Sequence, residues 1–296
     1  ITLTTFPADV AHGGTKCRQR QHAGSDFLGV EYPALLKICQ IWPLTPVSIP
    51  VSMNPSVMFA HSFISPSMIN VLAVPAFIDN YIWLICNENS PKQAAIVDPG
   101  EAGSVIDTLT ELSITPVAIL LTHHHDCHTG GVETLLKRYK IPVYGPASEQ
   151  ERMPSITHPL CDGDHISLPF DKLSFTVMEV PGHTKGHIAY FGHRMLFCGD
   201  TLFGAGCGRL FEGTALQMYE SLKKIAALPK NTLVYCAHEY TLANLKFAMK
   251  VEPDNADIRT RLFEAKRSWA HGQPTVPSTL ELELRTNPFL RCHIPV

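Results

Sequence analysis

Leu121-Thr-His-His-His-Asp-Cys-His-Thr-Gly-Gly131 places four histidines within six residues, directly after the apolar run Val117 to Leu121. That run reads as a buried strand. Gly130 and Gly131 then open an amphipathic pattern that reads as a helix. The end of a strand is a rigid place from which a loop can turn several imidazoles toward one point. Imidazole suits zinc, iron, copper and nickel, so His123, His125 and His128 together point to a transition-metal site rather than a solvated loop. The irregular member of the cluster is Cys127.

Working outward, the 296-residue chain has room for one large domain or two modest ones. Its 45% hydrophobic and 17% charged content is that of a chain able to bury a core. A formal net charge of −3 supplies no basic footprint for nucleic acid. The nine cysteines are scattered with no C-x-x-C pair, which fits reduced thiols and a cytoplasmic location. No apolar run approaches the ~18–20 residues needed to span a bilayer. The most apolar early stretch, Tyr32 to Val51, carries Lys37, Gln40 and several prolines, so no membrane partner is expected.

Residues 1–67 differ in texture from the rest. Prolines 7, 33, 43, 46, 50, 55 and 66 interrupt each candidate element, and neither the helical nor the strand period persists. The segment reads as a poorly ordered extension ahead of a natural start at Met68, with a targeting or docking arm as the alternative. Residues 68–238 then alternate short apolar runs with amphipathic stretches. Strands are expected at Ile69–Val74, Tyr81–Cys86, Ala94–Val97, Val117–Leu121, His165–Leu168, Leu173–Val180, Ile188–Phe191, Met195–Cys198 and Thr232–Cys236, with a stub at Val143–Tyr144. Helices are expected at Ala102–Leu112, Val132–Tyr139 and Ala215–Ala227. This mixture predicts a layered α/β body. Residues 239–296 show helical spacing and predict a small all-helical domain, too short to hold a core alone and so packed on the body.

Four further polar groups stand where strands end. Asp98 follows Ala-Ala-Ile-Val, His183 follows Val180-Pro-Gly, Asp200 follows Leu196-Phe-Cys-Gly and His238 follows Val234-Tyr-Cys-Ala. One such residue alone reads as a turn or cap. Together with the histidine loop they supply ligands enough for two metal ions.

With these residues in view the chain resembles a known family. Thr122-His-x-His-x-x-His128, Pro181-Gly-His-Thr184, Cys198-Gly-Asp-Thr201 and Ala237-His-Glu-Tyr240 are similar to the signatures of the metallo-β-lactamase superfamily. Gly206-Cys-Gly-Arg-Leu-Phe-Glu-Gly-Thr214, Ile78-Asp-Asn-Tyr-Ile-Trp83 and Thr286-Asn-Pro-Phe-Leu-Arg291 narrow the resemblance to glyoxalase II, the hydroxyacylglutathione hydrolases, in their bacterial form. It covers Met68 to Arg291. The resemblance implies an αββα sandwich with a binuclear site at its edge and a helical C-terminal domain over the substrate.

Carried over by motif position, the resemblance gives His123, His125 and His183 to a first divalent ion. It gives Cys127, His128 and His238 to a second, with Asp200 bridging both and Asp98 orienting ligands from behind. Asp200 and His183 are the candidate catalytic residues, Asp200 as a permanent bridge rather than a proton shuttle. Two ions, zinc foremost with iron or manganese admitted, would activate water against the thioester of S-D-lactoylglutathione and release glutathione and D-lactate, the final step of methylglyoxal detoxification. Arg209 and Tyr240 would contact the glutathione, and a monomer suffices. For Tyr240 a packing role at the start of the helical tail is an equal alternative.

Two departures accompany the resemblance. The family's basic Arg-x-x-Lys-Asp segment beyond Asn-Pro-Phe is not found before Val296, so the helical domain is expected to be cut short and glutathione affinity to suffer. The family's Asp at position 127 is replaced by Cys, with Asp126 one place early. The competing expectations are another enzyme of the superfamily (a lactonase, a β-lactamase or a persulfide dioxygenase) and a weakened, non-catalytic metal-binding homologue.

Overall fold

The computed structural model describes residues 58–59, 69–87, 90–168, 170 and 173–294. The extension expected over residues 1–67 therefore falls outside the described residues, except for a two-residue strand, β1 (Met58–Phe59). It pairs antiparallel with Ala73 and Leu72, a contact no side-chain period announces because two residues carry no period. Met68, the expected start, is not among the described residues.

Two sheets face each other. The first runs β1, β2 (Ile69–Ala76), β3 (Asn80–Asn87), β4 (Ser90–Val97), β5 (Thr115–Leu120), β6 (Val143–Pro146) and β7 (His158–Leu160), in that order. Its early pairs are antiparallel, and β4 to β7 run parallel. β2 and β3 are near-continuous apolar runs because both of their faces are covered. Alternate residues part company: Val71, Tyr81, Trp83 and Ile85 enter the core between the sheets. Leu72, Ile82, Leu84 and Cys86 turn the other way. There they meet Val105 and Leu109 of helix α1 (Gly103–Glu111), and Val132 and Leu135 of a second outer helix, Val132–Arg138.

Between those helices the loop after β5 holds one short turn of helix, α2 (Asp126–Thr129), so the outer helix at Val132–Arg138 is α3. The expected loop is thus partly helical, which sets Cys127 and His128 on successive positions of one turn. Next come β8 (His165–Ser167), β9 (Ser174–Glu179), β10 (Ile188–Gly192), β11 (Met195–Gly199), the hairpin β12 (Leu202–Phe203) with β13 (Gly206–Cys207), helix α4 (Ala215–Ala226), and β14 (Leu233–Cys236). The second sheet has the order β15 (Ser278–Thr279), β14, β11, β10, β9, β8. Phe175, Val177, Tyr190, Leu196, Phe197, Val234 and Tyr235 face the core from this side, and Met218, Leu222 and Ile225 of α4 join the same cluster. Helices therefore flank a pair of facing sheets, the αββα arrangement expected.

The tail holds α5 (Thr241–Val251), α6 (Ala256–Ala270) and α7 (Leu280–Thr286). It is not wholly helical, as had been expected: β15 (Ser278–Thr279) pairs with Leu233 and Val234 and extends the second sheet. The pairing welds the tail to the body through backbone as well as side chains. Buried Asn244 and Asn287 add amide donors to the carbonyls of Gly204, Phe203 and Gly206. Cys86, Cys127, Cys198 and Cys236 are free thiols, as expected, but Cys161 is disulfide-bonded, a departure from a fully reduced set. Among the described residues no helix is long and apolar enough to cross a membrane.

Candidate metal centre

The two sheets meet at one edge through backbone and side-chain bonds that cross between them. Tyr81 N donates to Ala237 O at 2.7 Å, Ile188 N to Thr122 O at 3.0 Å, and the Tyr190 hydroxyl to Leu121 O at 2.8 Å. The Trp83 indole donates to Cys236 O at 3.0 Å. These ties fix the ends of β3, β5, β10 and β14 against one another. The predicted polar residues leave the strand ends at this seam.

His123, His125 and His183 each present a ring nitrogen to one point, all within 4.8 Å of one another. Cys127 Sγ joins His128 and His238 in a second group of the same span, and His123, His128 and Asp200 form a third grouping that links the two. The Asp200 carboxylate divides itself: Oδ2 lies 3.3 Å from His183 Nε2, while Oδ1 lies 3.3 Å from His128 Nε2 and 3.4 Å from His238 Nε2. The seven residues singled out by the sequence are thus brought together. Asp126, the alternative to Cys127, is exposed and joins none of these groups among the described residues; it lines, with Cys127, Asp79 and Phe77, a cavity of about 550 Å³.

Three of the rings, His128, His183 and His238, have their inward nitrogen set by a partner on the far side. His128 Nδ1 is 3.0 Å from Asp98 Oδ2, and Asp98 is itself held by Thr122, whose backbone N–H and hydroxyl donate at 2.8 and 2.7 Å. Asp98 adopts φ 49°, a left-handed conformation that Asp tolerates better than most residues. His183 Nδ1 lies 2.8 Å from the carbonyl of Arg209. His238 Nδ1 lies 2.9 Å from Asp79 Oδ1. The sequence reading missed Asp79, although it stands inside the Ile78-Asp-Asn-Tyr string. It also missed His187, a fully buried ring stacked on His123 at 4.5 Å that accepts the backbone N–H of Asp200 at 3.1 Å. Its signal was the histidine four places after His183.

Two glycines are required by close approach. Gly199 has φ 46°, and a Cβ there would stand 2.3 Å from Thr122 Oγ1. A Cβ on Gly208 would stand 1.8 Å from Asp200 O. Both keep the backbone around Asp200 tight against the histidine loop.

Charge divides the cluster in two. Burial, reinforced by His128 and His187, holds the His123 imidazole well below its ordinary pKa. Burial, with His183 and His124 beside it, takes His125 down to about 4, and burial lowers His183 against the pull of Asp200. These three rings are neutral, the form in which imidazole ligates. On the other side burial opposes charge, yet Asp200 with Asp98 raises His128, and Asp200 with Asp79 raises His238, both well above the ordinary value. Asp200 is held well below the carboxylate range by the same two rings against its own burial. Burial would push the Cys127 thiol up, but hydrogen bonds with His128 and His238 bring it down to about 7. The second group thus sets the Asp200 carboxylate and the Cys127 thiol, both lowered, beside the His128 and His238 rings.

A metal fits the donor set on a further ground. His128 Nε2 and Asp200 Oδ1 are buried, 3.3 Å apart, and neither makes a well-formed hydrogen bond; a buried polar atom left so is costly unless something satisfies it. Both atoms face the space shared by the two groups.

Around the rim, Arg209 is exposed and its guanidinium lies 5.4 Å from the Phe211 ring centre. Phe211, also missed in the sequence, stands edge-on to His125 and His183. Tyr240 is half-buried and stacks on His238 with ring centres 4.9 Å apart and planes 6° apart. Burial, first among several causes, raises its hydroxyl pKa.

Comparison with known proteins agrees with this geometry. A family model described as the metallo-β-lactamase superfamily matches residues 77–238, and one described as the hydroxyacylglutathione hydrolase C-terminus matches residues 239–296. The chain is 52% identical over 228 residues to a hydroxyacylglutathione hydrolase of Nitrosomonas eutropha, covering 77% of this chain and 88% of that protein. It is 53% identical over 228 residues to one of Alkalilimnicola ehrlichii, with the same coverage. Among solved structures, the B3 metallo-β-lactamase BLEG-1 superposes with a TM-score of 0.56 at 25% identity, covering 75% of this chain and 99% of that one.

Proposed function

We propose that this chain, which belongs to the hydroxyacylglutathione hydrolase family of the metallo-β-lactamase superfamily, hydrolyses the thioester of S-D-lactoylglutathione to glutathione and D-lactate. The observation that carries the reading is the divided Asp200 carboxylate, with one oxygen toward His183 and the other toward His128 and His238. His123, His125 and His183 would hold one divalent ion, Cys127, His128 and His238 would hold the other, and Asp200 would serve both. Zinc is the first choice for a set that includes a thiolate.

Two ions so held supply water ionised near neutral pH and a Lewis acid for the carbonyl oxygen. The chain's own part is positional. Asp98 and Asp79 accept from the Nδ1 atoms of His128 and His238 and keep both Nε2 atoms pointing inward. The Arg209 carbonyl does the same for His183. The Phe211 ring walls the first triad with apolar surface. The exposed Arg209 guanidinium is placed to pair with a glutathione carboxylate, and Tyr240 stands on the opposite rim beside His238. The departing thiolate has a free pKa of ~8.5, so no strong proton donor is needed. A monomer acting in the cytoplasm is consistent with this reading.

The test is metal content and thioester hydrolysis on one preparation. Two ions per chain with release of glutathione from S-D-lactoylglutathione is the expected result. Two bound ions with faster turnover of a lactam, a lactone or a persulfide would move the chain to another activity of its superfamily. No turnover with fewer than one ion per chain would make it a non-catalytic homologue.

A further inference from the structure

One buried carboxylate outside the seven-residue cluster connects all the segments that feed the first triad. Glu149 lies at the end of a 3₁₀ turn, Ala147–Glu149, and is 4% exposed. Its Oε1 accepts the Thr184 hydroxyl at 2.5 Å and the Gly186 backbone N–H at 3.0 Å. Its Oε2 accepts the backbone N–H of His124 at 2.9 Å and lies 2.8 Å from His124 Nδ1. His124 is the residue between His123 and His125, and Thr184 directly follows His183. The same carboxylate therefore grips the loop after β5 and the loop after β9 at the residues adjoining their ligands.

His124, Glu149 and Glu212 also group at metal-ligand spacing, but a third ion there is opposed. The Arg152 guanidinium pairs with Glu212 and comes within 3.4 Å of His124 Nδ1. The Glu149 oxygens are already engaged by four donors. The cluster is a strut rather than a cation site. Packing says the same: a Cβ on Gly186 would stand 2.4 Å from Glu149 Cγ, so the loop after His183 is pressed against the carboxylate.

We propose that Glu149 is a positioning residue that sets the metal affinity of the His123–His125–His183 triad by holding its two loops in one register. The inference rests on the binuclear reading of the site. Hydrogen bonds to a charged acceptor are roughly twice as strong as neutral ones, and removing a partner that orients metal ligands costs ~10–100-fold in affinity. Glu149 bonds the chain at residues adjoining His123, His125 and His183, whereas Cys127 and His128 lie further along the same loop on α2 and His238 lies beyond β14, so the larger loss should fall on the first ion.

The experiment is a competitive chelator titration of the zinc-loaded chain, the wild type beside E149Q, with circular dichroism of the metal-free forms as a control for folding. Glutamine keeps one oxygen for Thr184 and Gly186 but cannot accept from His124. One of the two ions should leave E149Q at ~10–100-fold lower chelator strength, with the other moved less. Loaded with cobalt instead, the variant should keep the thiolate charge-transfer absorption contributed by Cys127, which marks the retained ion as the second. Equal weakening of both ions, or of neither, would overturn the proposal. A wild-type chain that does not bind two ions would instead overturn the binuclear reading beneath it. If E149Q does not fold, T184V removes a single bond to the same carboxylate and should shift the same ion by a smaller factor; an unshifted T184V would then overturn the proposal.

Discussion

His238 Nδ1 sits 2.9 Å from Asp79 Oδ1, a contact made across 159 residues of chain. It duplicates, on the second sheet's side, the pairing of His128 with Asp98. A carboxylate behind an imidazole fixes its tautomer and raises its basicity as a ligand. Asp79→Ala should therefore weaken the second ion ~10–100-fold while sparing the first. Metal content after dialysis against graded chelator reads this directly, and loss of both ions together would show that Asp79 acts on the fold instead.

Cys127 tests the second site from the inside. Sulfur binds zinc at ~2.3 Å against ~2.0–2.2 Å for a carboxylate oxygen, so the thiolate makes that site softer without emptying it. Cobalt-loaded wild type should show thiolate-to-metal charge transfer, and Cys127→Asp should abolish it while altering metal retention and turnover. Unchanged stoichiometry, rate and spectrum in Cys127→Asp would mean that this side chain does not ligate.

How far these residues could be read in advance depends on how local their signals are. Asp98, His123, His183, Asp200 and His238 each follow an apolar run and a turn, so strand period and turn chemistry exposed them. The two-residue strands Met58–Phe59, Leu202–Phe203 and Ser278–Thr279 carry no period, and the last of these made the tail less purely helical than its spacing suggested. Asp79, Glu149, His187 and Phe211 acquire their roles only from partners brought near by folding. Glu149 reaches Gly186 across 37 residues and His124 across 25, and nothing adjacent to it in the chain marks it. The placement of Cys127 beside His128 and His238, with Asp126 exposed, likewise comes from the helical turn of α2 and not from any local signal.

Arg209 should separate binding from chemistry. Its carbonyl orients His183 whatever the side chain is, while its exposed guanidinium is free to meet substrate. A hydrogen bond to a charged group is worth ~1.5–3 kcal/mol, so Arg209→Ala should raise KM for S-D-lactoylglutathione ~10–100-fold with little change in kcat. A fall in kcat at constant KM would place the guanidinium in the reaction itself.

The tail is fastened by a buried ion pair. Glu283, fully buried, accepts from the Arg261 guanidinium, from the Ser278 hydroxyl, and from the backbone N–H of Ala205 at 2.8 Å in the hairpin that follows Asp200. Removing one partner leaves a buried charge uncompensated, at a cost of ~3–5 kcal/mol. Glu283→Ala should lower the urea midpoint accordingly, and the double change Arg261→Met with Glu283→Leu should recover much of the loss. A single variant as stable as wild type would show that the pair contributes nothing net.

A second tie gives the tail a pH dependence with a definite sign. Arg291 grips Glu252 with two nitrogens, each at 2.8 Å, at the end of α5. Hydrogen bonding to Arg291, ahead of the opposing effect of burial, holds the Glu252 carboxyl below its ordinary value of 4.5. A carboxyl depressed in the folded state stabilises the fold fully above its unfolded pKa, and that stabilisation is lost as the pH falls through the folded pKa. Glu252→Gln should therefore unfold at lower temperature than wild type near neutral pH, and the gap should close as the pH falls from 4.5 through the lowered folded-state pKa of Glu252. Comparing the metal-free forms of both chains removes the separate loss of metal in acid. A gap that stayed constant from neutral to acid would show that Glu252 stabilises the tail through its hydrogen-bond geometry and not through its charge.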